Sequence, residues 1–296
     1  MTQSRLLRED AYPSRVHDKA AILPRIDPVI YRNEQTDRGP LSAEQLAFYE
    51  QNGYLHLPGF FSADEVQMLR AEMRKLLEES AADSRPEVIR EPQSQQVRSV
   101  FAVHRDHLVF RQLSRHSRLV AMAKQILGSD VYIHQSRINY KKGFTGKEFY
   151  WHSDFETWHV EDGMPRMRAL SCSITLEDNV HYNGPLMLVP GSHYSFVSCV
   201  GQTPANHYEQ SLRKQEYGVP DEESLTRLVE KHGIDTMVGP AGSVILFDCN
   251  TMHGSNGNIS PLPRSNVFFV YNSVENRLEA PFSGQQPRPA YIATRE

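Results

Sequence analysis

From residue 41 the apolar positions recur first at helical spacing and then, beyond residue 130, at strand spacing. Leu41-Ser42-Ala43-Glu44-Gln45 opens a short helix, and Tyr54-Leu55-His56-Leu57-Pro58 alternates as a strand before Gly59. Ser62 with Glu65 forms a capping box, and Val66, Leu69, Met73, Leu76 and Leu77 follow on one helical face, which predicts a helix to about Ser80. Residues 81–96 are polar and proline-interrupted, so a loop is expected there. Val120, Ala123 and Ile126 place a further amphipathic helix over Ser117 to Leu127, and Gly128 ends it.

From Asp130 onward short apolar or alternating runs replace the helical pattern, each bounded by Gly, Pro, Asn or Asp. Strands are predicted at residues 131–141, 148–155, 169–176, 185–190, 243–248 and 266–273, with a helical insertion around Tyr208 to Lys231. Helices followed by many strands without alternating crossovers predict an antiparallel sandwich or barrel that carries its helices outside. Residues 1–40, rich in Pro, Arg and Asp and without a period, are expected to form an N-terminal arm with few catalytic groups. Residues 41–296 are expected to form a single domain: a helical flank over 41–129, a strand core over 130–275 and a tail over 276–296.

Composition narrows the function. No span is long and apolar enough to cross a bilayer, and the N-terminus lacks the apolar core of a secretion signal, which points to the cytoplasm. Cys172, Cys199 and Cys249 are odd in number and form no CxxC pair, so no disulfide framework is expected. A net charge of −4 with interspersed signs offers neither a nucleic-acid stripe nor a membrane patch, leaving a small molecule as the expected partner.

The candidate chemistry lies in Tyr150-Trp151-His152-Ser153-Asp154-Phe155-Glu156-Thr157-Trp158-His159. On a strand, residues two apart share a face, so His152 and Asp154 would offer a nitrogen and an oxygen to one ion. His253, after the apolar run Val244 to Phe247, would complete a two-histidine, one-carboxylate facial triad with three open coordination positions. An HxD pair alone is a weak signal, since a strand-edge histidine in a surface hydrogen bond gives the same spacing. Arg264, 11 residues beyond His253 at the start of the next strand, strengthens the reading because a guanidinium there suits bidentate capture of a carboxylate. None of His159, His181 and His193 pairs with a carboxylate two residues on within a predicted strand, and His193 is expected to be a locally bonded turn residue. Asp178, Glu161 and Asp162 are expected to shape loops or to be solvated. A hydrolytic zinc enzyme with the same ligands and a non-catalytic binding module remain alternatives.

The triad, the arginine and the segment Gly184 to His193 resemble the phytanoyl-CoA dioxygenase superfamily of Fe(II)- and 2-oxoglutarate-dependent oxygenases. The run Phe149 to Asn179 is similar to its ectoine-hydroxylating branch, and the similarity extends from roughly Leu41 through Asn272. The resemblance implies a mainly β fold with flanking helices, a double-stranded β-helix or cupin-like jelly roll, and a homodimer. It implies Fe(II) on His152, Asp154 and His253, with 2-oxoglutarate and O2 as cosubstrates. Lys141 and Arg264 match the 2-oxoglutarate contacts, and Phe101, Asn139, Ser171 and Ser255 match residues lining that pocket. Gln135, Trp158, Phe247, Asn266 and Phe268 match an ectoine pocket, where aromatic faces suit an amidinium cation. Core packing is the ordinary explanation for Phe247, Phe268 and Trp158 when taken alone. A carboxylate at Asp154 favours hydroxylation over halogenation.

Overall fold

The computed structural model describes residues 10–33, 36–91, 94–212 and 217–295. Its strands are β1 (Ala21–Pro24), β2 (Tyr54–Leu57), β3 (Val88–Arg90), β4 (Val97–Phe101), β5 (Val131–Lys141), β6 (Phe149–His152) and β7 (Ala169–Thr175), then β8 (Leu186–Leu188), β9 (Ser195–Ser198), β10 (Asp235–Thr236), β11 (Val244–Asp248), β12 (His253–Ser255) and β13 (Arg264–Ser273). The helices are α1 (Ala43–Asn52), α2 (Ala63–Glu79), α3 (Val103–Asp106), α4 (Leu108–Ser114), α5 (Ser117–Leu127), α6 (Asp154–Thr157), α7 (Tyr208–Ser211) and α8 (Glu222–His232).

A seven-stranded sheet runs β2-β11-β7-β13-β5-β4-β3, a four-stranded sheet runs β10-β8-β12-β6, and β1 pairs with β9. The strand pairings are antiparallel, and the two larger sheets enclose a common apolar cluster, giving a jelly-roll core.

Strand periodicity divides the large sheet between two tasks. On β13, Val267, Phe269 and Tyr271 face the helices while Phe268 and Val270 face the second sheet; on β11, Val244 and Leu246 face out while Ile245 and Phe247 face in. On β7, Leu170, Cys172 and Ile174 join the helical layer, which leaves Ser171 and Ser173 on the interior face. The outer layer is closed by Val66, Leu69, Met73 and Leu76 of α2 and by Leu119, Met122 and Ile126 of α5. Each such side chain contributes roughly 1.5–3 kcal/mol of transfer free energy.

Ser62 and Glu65 make both hydrogen bonds of the capping box at α2, and Ser42 with Gln45 does the same at α1. Gly128 ends α5 in the left-handed region (φ 60°), where a Cβ would lie 2.1 Å from the Tyr31 carbonyl oxygen.

One expectation needs correction. Residues 81–96 are not all loop: β3 forms there and extends the large sheet through β4, a three-residue strand too short for a period to declare itself. The described part of the arm packs on the body. Its β1 pairs with β9, and Tyr12 is fully buried between Phe155 and Phe196; residues 1–9 fall outside the described residues. Helices α3 and α4 fall in a region to which no element was assigned.

Candidate metal centre and cavity

His152 is the last residue of β6 and His253 the first of β12, and the antiparallel register sets them directly opposite each other. Asp154 does not share the strand with His152 as the strand argument required. The strand ends at His152, and Asp154 opens the helical turn α6, which swings its carboxylate back toward the two rings. The three ligand atoms lie within 4.8 Å of one another, with Asp154 Oδ1 3.7 Å from His152 Nε2 and Oδ2 3.9 Å from His253 Nε2. Asp154 with either ring can share one ion at about 2.1 Å, since atoms that do so lie at most about 4.2 Å apart.

The surroundings fit a metal. His152 Nδ1 meets the Tyr150 carbonyl at 2.7 Å and His253 Nδ1 meets the Thr251 carbonyl at 2.9 Å. A carbonyl only accepts, so each Nδ1 keeps its hydrogen and donates it, which leaves the Nε2 lone pair for an ion. Burial and the neighbouring His253 push the His152 pKa down to about 4, so that its ring is neutral at neutral pH. Ser171, on the interior face of β7, donates to Asp154 Oδ2 at 3.0 Å and fixes the carboxylate.

A cavity of about 950 Å3 opens beside these ligands and is lined by His152, Asp154, Phe101, Gln135, Asn139 and Trp158 among others. Lys141, Arg264 and Ser255 lie together behind that lining. Arg264 and Lys141 are direct partners across β13 and β5, and Lys141 Nζ donates to Ser255 Oγ at 2.9 Å. Both cations are buried; burial lowers the pKa of Arg264 to about 10 and, together with Arg264, holds that of Lys141 well below its ordinary value. Arg264 Nε has no hydrogen-bond acceptor among the described residues. Two like charges pressed together out of water call for an anion between them.

Phe247 also lies behind the lining, its ring 4.9 Å from that of His253 and 6.0 Å from that of Phe268, while Asn266 donates to Ser173 Oγ at 2.6 Å. Of the residues singled out, six line the cavity, His253 completes the metal cluster, and the others lie behind these.

Arg137 escaped the reading of the sequence. It lines the cavity, stands 4.3 Å over the Phe268 ring and 5.7 Å over the Phe101 ring, and donates to Gln135 Oε1. Burial lowers its pKa to about 10, which leaves it charged at neutral pH. Strand alternation contained the signal: Gln135, Arg137, Asn139 and Lys141 are successive residues of one face of β5. Arg288, also in the wall, carried no such signal, because it arrives from the irregular tail.

Two further expectations are overturned. Glu161 and Asp162 are neither solvated nor loop residues. They end a π-helical stretch, Trp158–Asp162, and are buried against Arg15 and Arg288. His193 does not bond locally, since its Nε2 meets the Glu50 carbonyl at 3.0 Å, far away in sequence.

Known proteins with this arrangement place it in a family. Residues 49–266 match the family described as phytanoyl-CoA dioxygenase (PhyH). The ectoine dioxygenase of Stutzerimonas stutzeri is 56% identical over 290 residues, 98% of this chain and 96% of its own. That of Bordetella bronchiseptica is 59% identical over 288 residues, 97% and 93% of the two chains. The crystal structure of EctD from S. alaskensis with 2-oxoglutarate and 5-hydroxyectoine superposes with a TM-score of 0.88 at 50% identity, covering 97% of this chain and 95% of that one. With its metal-ligand cluster set in a jelly roll and its full-length likeness to these enzymes, the chain belongs to the phytanoyl-CoA dioxygenase family and, within it, to the ectoine dioxygenases.

Proposed function

We infer that the protein hydroxylates ectoine to 5-hydroxyectoine, consuming O2 and 2-oxoglutarate and releasing succinate and CO2, in the synthesis of a compatible solute. The observation that carries this reading is the convergence of His152, Asp154 and His253 at the edge of a cavity with aromatic, cationic and amide walls. Fe(II) held by those three residues supplies the activation of O2 that coupled decarboxylation and C–H hydroxylation require.

The side chains bind and orient. Lys141 and Arg264 receive the distal carboxylate of 2-oxoglutarate, with Ser255 holding the lysine, while Phe101 and Asn139 bound the same pocket. Ser171 acts on the site through Asp154, whose orientation it fixes. Trp158 and Gln135 receive ectoine from the wall, one with a ring face for the amidinium and the other with an amide for the ring polar groups. Phe247, Phe268 and Asn266 set the shape of that wall from behind. Arg137 adds a fixed positive charge suited to a carboxylate. No side chain serves as a nucleophile.

Residues 41–296 act as one catalytic domain, with 1–40 as an arm whose described residues dock on it. Three free, buried cysteines suit a cytoplasmic protein, and no described helix is long and apolar enough to cross a membrane. The resemblance that implies a homodimer is the basis for expecting a second copy of the chain as a partner.

The test is turnover of iron-loaded protein with ectoine, 2-oxoglutarate and 18O2. One labelled hydroxyectoine should appear per succinate. Succinate without hydroxyectoine rejects the substrate, and hydroxyectoine formed without oxygen rejects the reaction.

A further inference from the structure

Three buried carboxylates, Glu156, Glu161 and Asp162, crowd the short helical stretch 154–162 that also carries Asp154 and Trp158. Like charges this close in a low-dielectric setting drive a short helix apart unless cations compensate them. The cations come from the two ends of the chain. Arg288 of the tail takes Asp162 with both carboxylate oxygens, at 2.7 and 2.5 Å, and lies 3.9 Å from Glu161. Arg15 of the arm takes the other two: its Nε and Nη2 donate to Glu156 at 2.9 and 2.7 Å, and its Nη1 donates to Glu161 at 2.6 Å.

Arg15 is built into this position. Its backbone is left-handed (φ 59°), its N–H donates to the Cys199 carbonyl at 2.8 Å, and its Nη1 also reaches Thr203 Oγ1 at 2.8 Å. Ser14 beside it donates to Glu156 Oε1 at 2.6 Å and accepts from the Cys199 N–H. Gly218 packs so closely that a Cβ there would lie 2.3 Å from Arg15 Nη2 and 2.4 Å from Glu156 Oε2. A non-glycine residue in the left-handed region and a fully used guanidinium mark a clamp rather than a chance surface contact. Arg15 is not in the cavity lining, whereas its partner Glu161 is, together with Thr157 and Trp158, which lie between Glu156 and Glu161 in the chain.

We propose that Arg15 is a positioning residue for the substrate wall. By clamping Glu156 and Glu161 from behind, it fixes the turn that presents Trp158 to the cavity. The proposal rests on the reading of that cavity as the ectoine site, and it gives the N-terminal arm a part in substrate recognition.

The chain has two tryptophans, so Trp151→Phe leaves Trp158 as its only indole fluorophore. In that background, metal-free Arg15→Gln should shift Trp158 emission to the red and raise its acrylamide quenching several-fold, with Arg15→Lys in between. In the iron-loaded enzyme with Trp151 intact, Arg15→Gln should raise the ectoine KM about tenfold and uncouple succinate from hydroxyectoine, while the 2-oxoglutarate KM changes less than twofold. Should Arg15→Gln fail to fold, Arg15→Lys and the charge-balanced Arg15→Gln/Glu156→Gln pair carry the same measurements. Unchanged Trp158 emission and unchanged ectoine KM overturn the proposal, as does a loss that only tracks the folded fraction and falls equally on both substrates. A wild-type enzyme inactive on ectoine refutes the functional reading instead, and the emission measurement still decides the role of Arg15.

Discussion

Arg264 and Lys141 demand a counter-charge, because the guanidinium makes the neighbouring buried ammonium costlier still. A carboxylate received between them offsets that cost, and a charged hydrogen bond of this kind contributes roughly 1.5–3 kcal/mol. Arg264→Lys, which keeps the charge but loses the planar fork, should therefore raise the 2-oxoglutarate KM about 10- to 100-fold. The ectoine KM should stay within about twofold, and steady-state kinetics with each substrate varied in turn would show it. Asp154→Ala removes the single carboxylate from the metal cluster, and iron content after dialysis should fall together with turnover. Retention of stoichiometric iron would take Asp154 out of the coordination sphere.

At the scale of elements, the capping box of α2 permits a clean measurement away from the site. Ser62→Ala removes the acceptor for the Glu65 N–H and should lower stability by about 1 kcal/mol in denaturant titration without changing kcat. Gly128→Ala should cost more, since the left-handed backbone and the Tyr31 carbonyl both oppose a methyl group there. The same elements show what the sequence could reveal. Strand β5 spans the predicted residues, which are rich in β-branched and aromatic residues and bounded by Asp130 and Gly143, and α2 and α5 follow from their apolar faces and their end signals. Strand β3 and helices α3 and α4 are short, so tertiary pairing rather than local pattern decides them. At the site, His152 and Asp154 were legible as a pair but not for the assumed reason, because a helical turn rather than strand alternation brings them together. Arg137 was legible in the strand period and passed over. The Arg15 cluster was illegible, since its members lie about 140 residues apart in the chain.

For the whole molecule, the buried charges that tie both chain ends to the core set its tolerance of acid. Burial works against the Asp162 carboxylate, and Arg288 overrides it, holding its pKa at about 2, below the ordinary 3.8. A carboxylate depressed in the folded state stabilises it fully above the unfolded value, and that contribution disappears as pH falls from about 4 to 2. Thermal midpoints should drop through that window. Asp162→Asn should be less stable at neutral pH, where it strands Arg288, and its midpoint should fall less steeply below pH 4. An acid limb equally steep in both proteins would place the titration elsewhere.

The pairing of His152 with His253 across β6 and β12 reaches beyond catalysis. An ion bound to both rings is a cross-strand staple on the smaller sheet, so the free energy of metal binding is also free energy of keeping those two strands in register. Chelation should then speed amide hydrogen exchange in residues 149–152 and 253–255 while leaving β5 and β13 protected. Iron supply in the cell would thus govern how long the smaller sheet stays closed as well as how fast the enzyme turns over.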